Sequence, residues 1–218
     1  MSRLVERYNI SVAVFFRLRI PPPALKRIFS GDEFSSPPSP PTVEIAPGIV
    51  VGVGPPREVI ALYKNQVKIE YAHDKPMLHI IGPLEEVTKL LRKLPDMFKD
   101  YEFNLKEMCR YYEIVFHEQP VDIKNFISRL KQKVVVKNLE YLSKELGERE
   151  LMVYRLSISN MESPLSDRWL EIILSPDPNA PHARVILKIV KRCPTFEEAI
   201  RFLRFVENMP ELLAKFLE

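Results

Sequence analysis

Apolar residues recur along this chain with two different periods, and the periods divide it into elements. Residues 8–20, YNISVAVFFRLRI, alternate. Ile10, Val12, Val14, Phe16, Leu18 and Ile20 share one face, while Asn9, Ser11, Ala13, Phe15, Arg17 and Arg19 share the other. That spacing predicts a long strand with one buried face. Pro21 to Pro23 end it, and Ala24 to Phe29 fit a short helix. Strands follow at residues 43–46, 49–53, 58–63, 66–71 and 77–81, with Lys64-Asn65 as a turn signal. From Gly82 the period lengthens to three and four, GPLEEVTKLLRKLPDMFKDYEF, and a helix is predicted.

The second half repeats the order. Tyr112, Ile114 and Phe116 alternate with Tyr111, Glu113, Val115 and His117. Pro120 then opens a predicted helix carrying Val121, Ile123, Phe126, Ile127 and Leu130. A second helix spans Asn138 to Gly147, with Leu139, Leu142 and Leu146 inward and Gly147 as its stop. Val134–Val136 fit either helix or strand. Strands are predicted at 151–159, 169–174 and 184–190. The closing stretch, CPTFEEAIRFLRFVENMPELLAKFLE, places Phe196, Ala199, Ile200, Phe202, Leu203, Val206 and Met209 on one helical face. Thr195 stands at the N-cap with Glu198 three residues on, in capping-box position. Pro210 predicts a kink or a restart.

The two long helices resemble one another. Glu85, Glu86, Leu90, Leu91 and Arg92 align with Glu197, Glu198, Phe202, Leu203 and Arg204. Each has a Pro before its Glu-Glu pair and a second Pro near its end. We therefore expect two repeated strand–helix–antiparallel strands–helix units, residues 1–105 and 106–218, with a Pro-rich loop at 30–42. The fold class is α+β, helices packed on one face of a curved antiparallel sheet, with Leu90 and Phe202 both buried. This element order resembles the duplicated TATA-binding-protein fold, and also the helix-grip fold. The resemblance covers nearly the whole chain and lies in element order rather than in a motif. The intercalating phenylalanine pairs of the TATA-binding protein have no counterpart, so DNA bending is not implied.

Composition narrows the classes. Hydrophobic residues make up 46%, enough for a core. Net charge is +3 and the pI about 8.8, which permits an anionic partner without requiring one. Charged residues reach 28%, prolines number 20 against six glycines, and Gln occurs only at 66, 119 and 132. This pattern fits heat adaptation. Cys109 and Cys193 allow one disulfide but no framework, which suggests a reduced, cytoplasmic setting. The run Ile10 to Phe16 leads into Arg17 and Arg19 and does not read as a signal peptide, and no apolar run is long enough to span a bilayer.

No catalytic constellation emerges, and an enzyme is not expected. His73, His79, His117 and His182 lack metal-ligand spacing. His73 and His79 fall on two arms of a predicted hairpin, and Cys109 and His117 could meet across a sheet, but ordinary structural residues explain both pairs better. Gly52-Val53-Gly54 precedes Pro55-Pro56 rather than a helix, so it is not a nucleotide loop. No cofactor or metal is expected.

The informative surface is the sheet face away from the helices. Alternation assigns it Phe15, Arg17, Arg19, Lys68, Tyr111, Trp169, Arg184 and Lys188. Aromatics interleaved with cations suit a single-stranded nucleic acid, since rings stack on bases and cations neutralise phosphate. Glu70, Glu113 and Glu171 fall there too, which also fits a solvated face with cross-strand ion pairs. The expected function is a non-catalytic, nucleic-acid-associated binding protein. The alternatives are a protein-interaction module or homodimer, motivated by Trp169 and the Pro-rich loop, and a small-molecule binder of helix-grip type with a pocket of at least ~300 Å³.

Overall fold

A computed structural model describes residues 9–37, 42–46, 49–52, 57–72, 74–136, 139–148, 151–160, 162–209, 212 and 215. In chain order the elements are β1 (Asn9–Phe16), α1 (Pro22–Ile28), β2 (Phe34–Ser35), β3 (Thr42–Ala46), β4 (Ile49–Gly52), β5 (Arg57–Tyr63), β6 (Val67–Ala72), β7 (Met77–Pro83) and α2 (Leu84–Lys99). There follow α3 (Leu105–Met108), β8 (Cys109–Asp122), α4 (Phe126–Lys133), α5 (Leu139–Glu145), β9 (Leu156–Ser159), β10 (Leu170–Pro176), β11 (Arg184–Cys193) and α6 (Phe196–Glu207). The fold is mixed α+β, an open, curved antiparallel sheet with six helices among the described residues. Nine strands run in the order β2-β5-β6-β7-β1-β8-β11-β10-β9, and β3 and β4 form a separate ribbon. No described helix is long and apolar enough to cross a membrane.

Alternation gives the main sheet its two faces. Ile10, Val12 and Val14 of β1 are fully buried, as are Leu78 and Ile80 of β7, Ile114 of β8, and Leu187 and Ile189 of β11. They form one continuous core with Leu90, Leu91, Leu94 and Phe98 of α2 and Ala199, Leu203 and Val206 of α6. Local chemistry sets the element ends. Lys64 and Asn65 both take positive φ, 48° and 54°, and with Gln66, whose N–H donates to the Tyr63 carbonyl at 3.0 Å, they make the three-residue turn between β5 and β6. Thr195 Oγ1 accepts the Glu198 N–H at 3.2 Å and caps α6. At Gly82 a Cβ would lie 2.9 Å from the Gln66 carbonyl oxygen, so only glycine lets β7 run this close to β6.

Several expectations need correction. The first strand stops at Phe16 rather than near Ile20. Its register with β8 shifts between Phe15 and Phe16, and Leu18 is exposed. Ile20 returns to the core, its N–H donating to the buried Tyr71 hydroxyl at 3.0 Å. Pro120 opens no helix. β8 continues through it to Asp122, Pro120 pairs with Ile186, and Val121 and Ile123 bury at alternate positions. Period two therefore outlasts the proline, and α4 starts only after Asn125 turns left-handed, with φ 57°. Val134–Val136 lie in neither helix nor strand, and regular pairing in the segment expected from Leu151 starts only at Leu156. Leu142 and Leu146 face solvent while Ser143 is buried, the reverse of the expected pattern. Phe202 is only half-buried, its ring tilted 35° to that of Phe205 at 6.0 Å, and its neighbour Leu203 takes the fully buried place. Pro210 lies outside the described residues.

Truncating Leu203 to Ala should cost about 2–5 kcal/mol, and truncating Phe202 clearly less, because only Leu203 leaves a closed cavity. Urea unfolding of the two variants measures the difference. A larger loss for Phe202→Ala would mean that α6 is rotated about its axis.

The open sheet face as candidate functional site

The face opposite the core carries residues from nine strands, and register places them. Phe15 lies across from Tyr111 on β8 and Met77 on β7. Ala13 lies between Glu113 and His79, and Ser11 between Val115 and Ile81. Ser11 and Ala13 are almost fully buried although they belong to this face. Ala13, Ala72 and Met77 form a small apolar cluster with Phe15.

Two polar groups flank that seam. On one side Glu70, 7% exposed, accepts from Lys68 at 2.7 Å and lies 3.9 Å from Arg57. Arg57 donates to His79 Nδ1 at 2.7 Å, which leaves the imidazole proton on Nε2. Burial lowers the His79 pKa below the ordinary 6.5, Arg57 adds to this, and Glu70 opposes it. His117 contributes a further small lowering. His79 is therefore neutral near pH 7, and the group is a carboxylate balanced by two cations.

On the other side Arg192 donates from Nε to Glu113 at 2.7 Å and from Nη1 to the Pro164 carbonyl at 2.6 Å. Arg110 lies 3.4 Å from Asp167. Both guanidinium groups stand over the Tyr111 ring, at 5.4 and 5.6 Å from its centre, and Phe15 stacks on that ring at 4.4 Å. Tyr111 is only 9% exposed as a result, and burial raises its pKa. The segment 162–168 is thus tied to this rim by Arg192 and Arg110, and the Arg192 N–H also donates to the Trp169 carbonyl at 2.7 Å.

The predicted residues are brought together only in part. Phe15, Tyr111, Lys68 and Lys188 lie on the face. Arg17 and Arg19 are exposed beyond the end of β1 and form no ion pair with a described residue. Arg184 holds the buried carboxylate of Asp177 at 3.0 Å, at the β10–β11 turn. Lys188 is 3.9 Å from Glu118, and Trp169 precedes β10, half-buried. Arg57, His79, Arg110 and Arg192 are the participants that sequence reasoning missed. The signal for Arg192 was present: the period-two series Arg184, Ile186, Lys188, Val190 continues to it, and β11 runs to Cys193.

Other candidate chemistry does not assemble. Cys109 and His117 lie on the same strand, eight residues apart, roughly 26 Å along it, so they do not face each other. Cys109 and Cys193 are free and buried, and burial pushes their thiols up to about 11 and about 12. His73 lies outside the described residues. Among the described residues no group of three or more His, Cys, Asp or Glu is placed to hold a metal ion. Two clefts stand out, of about 370 Å³ beside α2 and α3 and of about 940 Å³ beside α4 and α5, and neither lies between the sheet and α6.

The lowered His79 pKa has a defined sign. A base that binds its proton more weakly folded than unfolded leaves stability intact above pH 6.5 and reduces it as pH falls below that value. His79→Gln should therefore lose less stability between pH 7 and pH 5 than the natural chain, by urea unfolding at both values; an unchanged difference would place the titration elsewhere. In comparisons with known proteins, no family model and no curated protein matches this sequence.

Proposed function

We propose that the protein is a non-catalytic, nucleic-acid-associated binding protein that works through the open sheet face. The observation that carries this reading is the seam of that face: the Phe15–Tyr111 stack, with Arg110 and Arg192 over Tyr111 and Lys68, Lys188, Arg17 and Arg19 further out. Tyr111 itself is covered, so the half-buried Phe15 ring, bordered by these cations, is the aromatic surface on which a base could stack beside a neutralised phosphate. Glu70 and Glu113 would repel phosphate, but each already has cationic partners within the face, so their effect is blunted.

The same proposal includes a duplicated architecture of the TATA-binding-protein kind. Supporting it, β1 lies between β7 and β8, and β8 lies between β1 and β11. β7 leads into α2 and β11 into α6, each through a Pro and a helix whose first turn holds two glutamates. β1 is followed by α1, and β8 by α4. An approximate twofold axis between β1 and β8 accounts for these correspondences, and it would make the seam the centre of the binding surface.

Fluorescence anisotropy with short single- and double-stranded oligonucleotides tests the reading across a salt series. We expect binding at low salt that weakens steeply as salt rises. Arg17→Ala with Arg19→Ala should lower the log–log salt slope by roughly 1.5, two phosphate contacts at ~0.7–0.9 each. No binding at low salt, or a slope indifferent to the double substitution, contradicts the proposal.

A further inference from the structure

Residues 162–168 set oxygens against both of the arginines that stand over the Tyr111 ring. The Asp167 carboxylate lies 3.4 Å from Arg110. The Pro164 and Ser166 carbonyls accept from Arg192 Nη1 at 2.6 and 3.3 Å. Local chemistry fixes the course of this segment. Ser163 Oγ accepts the Leu165 N–H at 3.2 Å, and Ser166 Oγ accepts the Arg168 N–H at 3.1 Å, two turns in succession closed by serine side chains. The Ser166 N–H donates to the Ser163 carbonyl at 2.8 Å. The far end is tied down as well: Asn160 Nδ2 donates to the Arg168 carbonyl at 2.8 Å, and Lys191 Nζ of β11 donates to the same oxygen at 3.3 Å. The segment is a strap along the rim of the open face, built by its own turns and anchored to β11.

We propose that this strap is autoinhibitory: Asp167 occupies, on Arg110, the place of a nucleic-acid phosphate, and the ligand binds more weakly for having to displace it. The inference rests on the reading of the open face as a nucleic-acid surface and adds how that surface is held in check. Chemistry is the first argument. An anionic oxygen against a guanidinium is the contact a phosphate makes. Position is the second. Arg110 stands over Tyr111, on which Phe15 stacks, so a phosphate on Arg110 would lie beside a base on Phe15. Availability is the third. Arg192 is also held by Glu113 at 2.7 Å, whereas Asp167 is the one ion-pair partner of Arg110 among the described residues. The Arg110 and Asp167 side chains are 59% and 36% exposed, and a pair so open to water is weak enough for a phosphate to replace the carboxylate. Arg17 and Arg19 form no ion pair with a described residue, so the strap withholds Arg110 while leaving those two free for phosphate.

The test compares Asp167→Asn with Glu162→Gln in the full chain, by anisotropy with short single-stranded oligonucleotides across a salt series. Both substitutions remove one negative charge from the same segment, but Glu162 is exposed and forms no ion pair with a described residue. Asp167→Asn should tighten binding at low salt about twofold to fivefold, the most that an exposed pair of this kind withholds. It should also steepen the log–log salt slope by ~0.7, one further phosphate contact. Glu162→Gln should change both clearly less. The gain should vanish when Arg110→Ala is combined with Asp167→Asn, because the freed guanidinium is what produces it. Equal binding by the natural chain and Asp167→Asn, an equal gain from Glu162→Gln, or a gain that survives Arg110→Ala overturns the role of the strap and leaves the nucleic-acid reading standing. No binding by any form at low salt overturns both.

Discussion

Seven residue pairs between β1 and β8, from Ile10–Phe116 to Phe16–Cys109, join the strands on either side into one sheet. The other strands of the nine-stranded sheet are placed relative to that pairing. On one face it sets Val12 and Val14 against Ile114 and Tyr112, the middle of a core that reaches α2 on one side and α6 on the other. On the opposite face it brings Phe15 onto Tyr111 and Ala13 beside Glu113. Antiparallel ladders of this length satisfy the backbone of both strands and bury alternate side chains, so the pairing resists slippage: a shift by one residue would turn Val12 and Val14 out of the core.

The open face is held by its own charges. Glu70 and Glu113 are balanced by Arg57, Lys68 and Arg192, whose hydrogen bonds fix those side chains. A face built this way is ordered by its own contacts. It has also committed several cations internally, and among the cations near this face Arg17 and Arg19 at the end of β1 form no ion pair with a described residue. The segment 162–168 adds a second level of order, because Arg192 binds it through the Pro164 carbonyl while holding Glu113.

Much of this was legible in the sequence, for identifiable reasons. Period-two burial in β1 and β8, the Lys64-Asn65 turn, the Thr195 cap and the long α2 and α6 depend on local chemistry, and local chemistry is written residue by residue. Longer-range competition was not. Nothing near Phe16 announces the register shift that ends β1, because it arises from the partner strand. Pro120 reads locally as a helix start, yet pairing with β11 holds it in a strand. The Leu142 and Leu146 positions in α5 show the same limit from another side: an apolar stripe marks a face that wants burial, and does not say whether its own chain or another supplies the cover. At the site, Lys68, Glu70, Tyr111 and Glu113 followed from alternation, whereas the Arg57–His79 contact and the clasp of Arg192 on residues 164 and 166 require knowing which strands lie side by side.

The central claim is that the β1–β8 ladder makes a single cooperative unit of the nine-stranded sheet. Native-state hydrogen exchange across a denaturant series addresses it most directly. The account predicts that core amides of β6 and β7 and those of β10 and β11 open with the same free energy and the same denaturant dependence as those of β1 and β8. If the strands on one side of the seam exchanged through a separate opening of lower energy while those on the other stayed protected, the seam would not be what unifies the fold, and the account would be wrong.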